Sequence, residues 1–124
     1  ADLSSLQQIR TMSAEIRQKY SRLDVLINNA GVAMNKLEIS EDGYEMTFAV
    51  NHLAVFAFTL LLLDLLTRST PSRIINVSYM AHSASLKLEN LAQPRHFDGW
   101  EVYCQSKLCN ILFTYELAEK LQNM

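Results

Sequence analysis

Cysteine, proline and glycine are scarce in this chain: two, two and three residues among 124. Cys104 and Cys109 fall five apart on one expected helix and point to different faces, so no disulfide joins them. They read as reduced core thiols, which indicates a reducing compartment. So little glycine and proline, beside 49% hydrophobic residues, excludes a disordered, collagen-like or low-complexity chain. No internal repeat is present. A net charge of −2 leaves no footprint for nucleic acid or an anionic membrane. The longest apolar run, from Leu53 to Leu63, is broken only by Thr59 and stops at Asp64. It is far short of the ~20 residues that span a bilayer, so no membrane anchor is visible in this segment. No signal-peptide pattern occurs either. His52, His82 and His96 are scattered without ligand spacing, and no metal site is expected.

What is present is a single domain's worth of alternating elements. The pattern predicts helix at about 3–20, strand at 23–28, a long helix at 41–67, strand at 73–78, a loop over 79–101 and helix at 102–122. Ser40 followed by Glu41 and Asp42 marks the expected start of the long helix, with acids near its positive end. Pro71 suits the connection after that helix has stopped. Strand–helix–strand alternation argues for an α/β fold, a parallel sheet with covering helices. Two strands alone do not make an independent sheet of that kind.

Three short segments stand out chemically. Tyr103 and Lys107 are four apart, so a helix puts phenol and ammonium on one face. A nearby positive charge favours a phenolate, which turns a weak acid/base group into a usable one. The plain alternative is an ordinary helix with Tyr103 packed and Lys107 solvated. Asn28-Asn29-Ala30-Gly31 ends the apolar run Leu23-Asp24-Val25-Leu26-Ile27, where small residues let a flat ligand approach the backbone. A simple strand-ending turn explains those residues equally well. Asn51, inside Phe48-Ala49-Val50-Asn51-His52-Leu53, is polar among apolar neighbours. It requires a hydrogen-bond partner and marks a kink in the helix, or else a core asparagine satisfied by backbone.

In this order, Asn-Asn-Ala-Gly, the mid-helix asparagine and Tyr-x-x-x-Lys resemble the classical short-chain dehydrogenase/reductase family, over essentially the whole chain. Pro71 to Ser78, Ala81-His82, Tyr103 to Leu108 and Asn110 to Thr114 are similar to the retinol dehydrogenase branch. The resemblance implies the central part of a Rossmann-like doubly wound parallel sheet, with residues 1–124 as one partial nucleotide-binding domain. It implies hydride transfer between NAD(P)(H) and an alcohol or carbonyl substrate, a retinoid or another apolar aldehyde. Tyr103 would be the proton donor in reduction and the base in oxidation. Lys107 would lower the tyrosine's pKa and hold the nicotinamide ribose. Asn51 would position a water between the lysine and solvent. Asn28, Ala30 and Gly31 would line the adenosine side of the cleft, and Asp2 would meet the adenine amine. NADP is favoured over NAD.

One position departs from the family pattern. The strand ends Asn76-Val77-Ser78-Tyr79, with Tyr79 where a substrate-binding serine is usual. Ser78 after a local shift, Tyr79 itself and Ser83 remain candidates for the lost hydroxyl, with Ser78 ranked first. A lost carbonyl hydrogen bond costs about 10²–10³-fold in rate. A catalytically impaired relative, or a truncated product acting as a binding or scaffold protein, is therefore the alternative. No Gly-x-Gly-x-x-Gly loop occurs, so the pyrophosphate site of the fold is not in this chain. The expectation is a sheet incomplete at both ends, with little dinucleotide affinity in residues 1–124 alone. The long helix and the 102–122 helix are expected to form a homodimer surface or to be covered by further strands. The expected location is intracellular, in the cytoplasm or on the cytoplasmic face of the endoplasmic reticulum.

Overall fold

The hydroxyl of Ser5 accepts the Gln8 amide and starts α1, Leu6–Lys19; the same side chain donates to Glu41. The computed structural model describes residues 1–124. Strand β1, Val25–Asn28, follows, then a long helix α2, Met46–Arg68, strand β2, Arg73–Asn76, and helix α3, Gly99–Gln122. A single 3₁₀ turn, Leu88–Asn90, interrupts the loop before α3.

The start of α2 corrects the expectation placed on Ser40 and Glu41. Residues 40–44 form a turn instead: Gly43 donates to the Ser40 carbonyl and takes a φ of 85°, outside the helical range. Helix begins only at Met46, capped by the buried Glu45 carboxylate, which accepts from the Thr47 and Phe48 amides. The α3 boundary also moves, from 102 to Gly99, because Asp98 caps it by accepting from Glu101.

β1 and β2 pair in parallel, with Val25 opposite Arg73 and Asn28 opposite Asn76. Their alternation sends Leu26, Asn28, Ile74 and Asn76 towards the helices. Leu26 packs with Leu62 and Leu66 of α2 and Ile16 of α1. Val55 of α2 meets Phe113 and Leu117 of α3, with Ile74 beside them. Helices therefore cover one face of the sheet, whereas Val25, Ile27 and Ile75 on the other face stay exposed.

The apolar run at 53–63 belongs to a longer element than its length suggested. Met46–Arg68 has 23 residues and a mean hydropathy of 2.0, enough by length and composition to cross a membrane. Its inner side is core here, with Leu62, Leu65, Leu66, Thr47 and Thr59 inaccessible to solvent.

Candidate active site

The kink expected at Asn51 takes the form of a π-helical turn, Ala49–Leu53, in which the Ala54 amide donates to the Ala49 carbonyl five residues back. A π-turn adds one residue to the helix and rotates what precedes it. That rotation presents Asn51 to the loop after β1 and to α3. Its Oδ1 accepts the Val32 amide at 2.7 Å, and its Nδ2 donates to the Val32 carbonyl at 2.9 Å and to Ser106 Oγ at 3.1 Å. Ser106 in turn donates to the Tyr103 carbonyl. Asn51 is thus fully buried and fully satisfied.

Tyr103 and Lys107 share a face of α3, with Lys107 Nζ 5.4 Å from the Tyr103 ring centroid. Burial holds the Lys107 ammonium below its ordinary value of 10.5. No carboxylate of the chain pairs with it. Gly31 closes over this spot: a Cβ there would lie 3.3 Å from both Asn51 Oδ1 and Lys107 Nζ. Any side chain at Gly31 would crowd the ammonium. The structure thus brings Gly31, Asn51 and the Tyr103–Lys107 pair together from three separate stretches of sequence.

Around the phenol the walls are aromatic. Trp100 stacks on Tyr103 at 5.7 Å and 16°, and Tyr79 stands edge-on at 6.1 Å and 70°. Ser78 is turned elsewhere, its hydroxyl donating to the Lys107 carbonyl at 2.9 Å. Ser83 lends its backbone amide to the Cys104 carbonyl. Of the three candidates for the missing hydroxyl, Tyr79 is the one in contact with the Tyr103 ring.

The other expected binding residues lie at the strand ends. Asn28 Nδ2 donates to Thr59 Oγ1 and to Asn76 Oδ1, and Asn76 donates onward to Thr114. Asn28 therefore braces the sheet edge while also lining the small cavity beside Asn29 and Ala30. Asn29, Ala30 and Gly31 remain exposed. A cavity of about 90 Å³ lies beside them, with Leu3, Asn29, Ala30, Val50 and Phe58 in its wall. Leu3 brings the neighbouring Asp2 to this end of the sheet. Asp2 is exposed and holds Ser4, and those bonds keep its carboxyl below the usual range. A larger cavity, about 540 Å³, lies between the C-terminal halves of α2 and α3; of the groups named here only Asn76 and Thr114 are in its wall.

Sequence reasoning missed four participants: Ser106, Asn110, His52 and Trp100. Asn110 Nδ2 donates to the Asn51 carbonyl at 2.8 Å, and Asn110 Oδ1 lies 3.0 Å from His52 Nδ1. The available signal was the spacing of Lys107 and Asn110, which puts a second polar group on the same helical face.

A surface of this kind, with ligand-facing groups outside the carboxyl ends of parallel strands, is where nucleotide folds bind. The chain belongs to the short-chain dehydrogenase family, whose profile, short chain dehydrogenase, matches residues 1–124. It is 50% identical over 123 residues to retinol dehydrogenase 13 of Homo sapiens, covering 98% of this chain and 37% of that protein. Human retinol dehydrogenase 11 is 45% identical over 122 residues, with 38% of its length covered. Among solved structures, an uncharacterised protein from Mycobacterium paratuberculosis superposes with a TM-score of 0.85 at 40% identity, over 98% of this chain and 43% of that one. The Pseudomonas aeruginosa RhlG/NADP active-site complex gives 0.74 at 29% identity, over 99% and 46%. The chain thus spans less than half the length of each of these relatives.

Proposed function

We propose that this chain carries the acid/base and cofactor-facing centre of an oxidoreductase that interconverts an alcohol and a carbonyl compound. The observation that carries the reading is Lys107: a nearly buried cation without a counter-ion, against Tyr103 and under Gly31. A desolvated ammonium needs acceptors, and ribose hydroxyls are acceptors of the right kind. The exposed Asn29-Ala30-Gly31 turn leaves room for a flat group beside it. These residues fit a nicotinamide dinucleotide, with Lys107 at the nicotinamide ribose and Asn28, Ala30, Gly31 and Asp2 towards the adenosine. When bound, the dinucleotide supplies or accepts the hydride. NADP is the form proposed, with NAD as the alternative.

In the reductive direction Tyr103 gives its phenolic proton to the carbonyl oxygen as the carbonyl carbon gains the hydride. The Lys107 cation steadies the charge left on the phenolic oxygen. Proton return follows a path past Asn51 and Lys107 to solvent. Ser78 acts on this centre through the Lys107 carbonyl, and Tyr79 walls the substrate side. An apolar aldehyde, a retinoid among them, suits aromatic walls, and the names of the retinol dehydrogenases support that class. Two free, buried thiols suit a reducing, intracellular compartment. The exposed faces of α2 and α3, with Phe56, Leu60, Leu112 and Tyr115, are proposed as a homodimer surface.

Tyr79 favours a second reading, a catalytically impaired relative. One experiment separates the two. NADPH oxidation by the full-length protein with a panel of apolar aldehydes should be detectable, and Tyr103→Phe should abolish it. No turnover in the parent, regained in Tyr79→Ser, would establish the impaired relative. Full activity in Tyr103→Phe would sink the proton-donor role.

A further inference from the structure

His52 and Asn110 lie 58 residues apart in sequence and meet behind the Tyr103–Lys107 pair. The Asn51 carbonyl can only accept, so Asn110 must turn its Nδ2 towards it and its Oδ1 away. Oδ1 likewise only accepts, which makes His52 Nδ1 the donor and fixes the ring's tautomer. Burial pushes His52 below its ordinary 6.5, keeping the ring neutral, with one proton for this bond. Phe48, Phe56 and Phe113 box the imidazole, at 5.6, 6.1 and 6.3 Å between centroids. Neighbouring residues of the π-turn thus have different duties. Asn51 faces Val32 and Ser106, and His52 faces Asn110. A π-turn is a poorer hydrogen-bonding arrangement than the α-helix it interrupts, so it persists where outside partners hold it.

Resting on the acid/base reading above, we propose that His52 and Asn110 are positioning residues that clamp the π-turn and so hold Asn51 beside the Lys107 ammonium. Release of the clamp lets the segment relax towards regular helix. Asn51 then turns off Val32 and Ser106, away from the Lys107 ammonium. Neither His52 nor Asn110 touches the reacting atoms, so the effect falls on turnover rather than on substrate capture.

Three variants of the full-length protein test this: Asn110→Leu, His52→Phe and Tyr103→Phe. Small displacements of catalytic groups lower rates by up to about 100-fold. Asn110→Leu should lower kcat about 10- to 100-fold while KM for the aldehyde and for NADPH moves less than about threefold. His52→Phe fits the aromatic box and keeps the fold even where Asn110→Leu does not; it should lower kcat in the same way. Nitrogen NMR of the parent's His52 ring should find the proton on Nδ1 and Nε2 bare. The clamp is refuted by a proton on Nε2, or by parental kcat in both folded variants while Tyr103→Phe is inactive. Losses confined to KM would equally refute it. Activity in Tyr103→Phe would overturn the acid/base reading itself, and the clamp with it.

Discussion

The two halves of α3 follow different rules. From Cys104 to Asn110 seven consecutive residues are buried, including Gln105, Ser106, Lys107 and Asn110. From Ile111 to Gln122 only Phe113 and Leu117 are, four apart, as an amphipathic surface helix requires. The second half is held by one apolar stripe against Val55 and Ile74. The first half is enclosed on every side, by the π-turn of α2, by the 83–87 loop and by Ser78. Its polar groups find partners in each: Asn51 and Asn110 in the π-turn network, Gln105 with Ser85 and Lys87. Polar networks thus sit where the helix is wrapped, and simple packing suffices where it is not.

Lys107→Met tests that division most severely. Loss of a general acid/base partner typically lowers turnover about 10²–10⁴-fold, and this variant should fall in that range when NADPH oxidation is followed. Its stability should move the other way. Lys107 titrates below its ordinary 10.5 in the fold because burial disfavours the ammonium. Between the folded value and 10.5 the unfolded chain binds the additional proton, so stability rises with pH across that window. The contribution is fully present above 10.5 and lost as pH falls through the depressed value. At neutral pH the charged Lys107 therefore destabilises the fold. Thermal unfolding of Lys107→Met should give a higher Tm than the parent at pH 7, the gap narrowing as pH approaches 10.5. A lower Tm at pH 7 would mean the ammonium is well solvated.

Leu117→Ala probes the other half. It removes a buried side chain from the cluster with Val55 and Phe113, and Leu-to-Ala changes of this kind cost roughly 2–5 kcal/mol. Urea unfolding should locate the loss in that range, with kcat per folded molecule unchanged. A fall in kcat would couple the two halves. Ser106→Ala is gentler and belongs to the first half. It removes the acceptor of the Asn51 Nδ2 bond, but Val32 still satisfies that amide. The expected cost is about 1 kcal/mol in urea unfolding.

The same division explains what could be read from sequence. Order and type of the helices and strands were legible because their apolar residues recur at the periods of the elements that bury them. The proximity of Tyr103 and Lys107 was legible because four-residue spacing is a local property of one helix. The start of α2 was not, since Ser40-Glu41-Asp42 imitates a cap while the real one, Glu45, is a buried acid that propensity does not anticipate. The Tyr79–Tyr103 edge contact joins residues from different elements, and the His52–Asn110 bond spans 58 positions; no local pattern encodes either. Ser78 is the first candidate for a hydroxyl towards substrate on sequence alone, yet strand alternation carries it to the helix side, where it bonds the Lys107 carbonyl.

Tyr115 sets the lower bound of the comparison. It is 72% exposed on the outer side of the second half, near Leu112. In a monomer nothing packs on it, so Tyr115→Ser should change stability by less than about 0.5 kcal/mol, as surface substitutions do. If instead α2 and α3 pair with those of a second copy, the tyrosine is buried in that pairing. The variant would then lower the association constant, and the loss would appear only through protein concentration, because mass action links dimer stability to it. Sedimentation of parent and variant over a hundredfold range of concentration decides between these outcomes. A concentration-independent monomer in both would remove the homodimer from the proposal and leave this face of α3 as solvated surface.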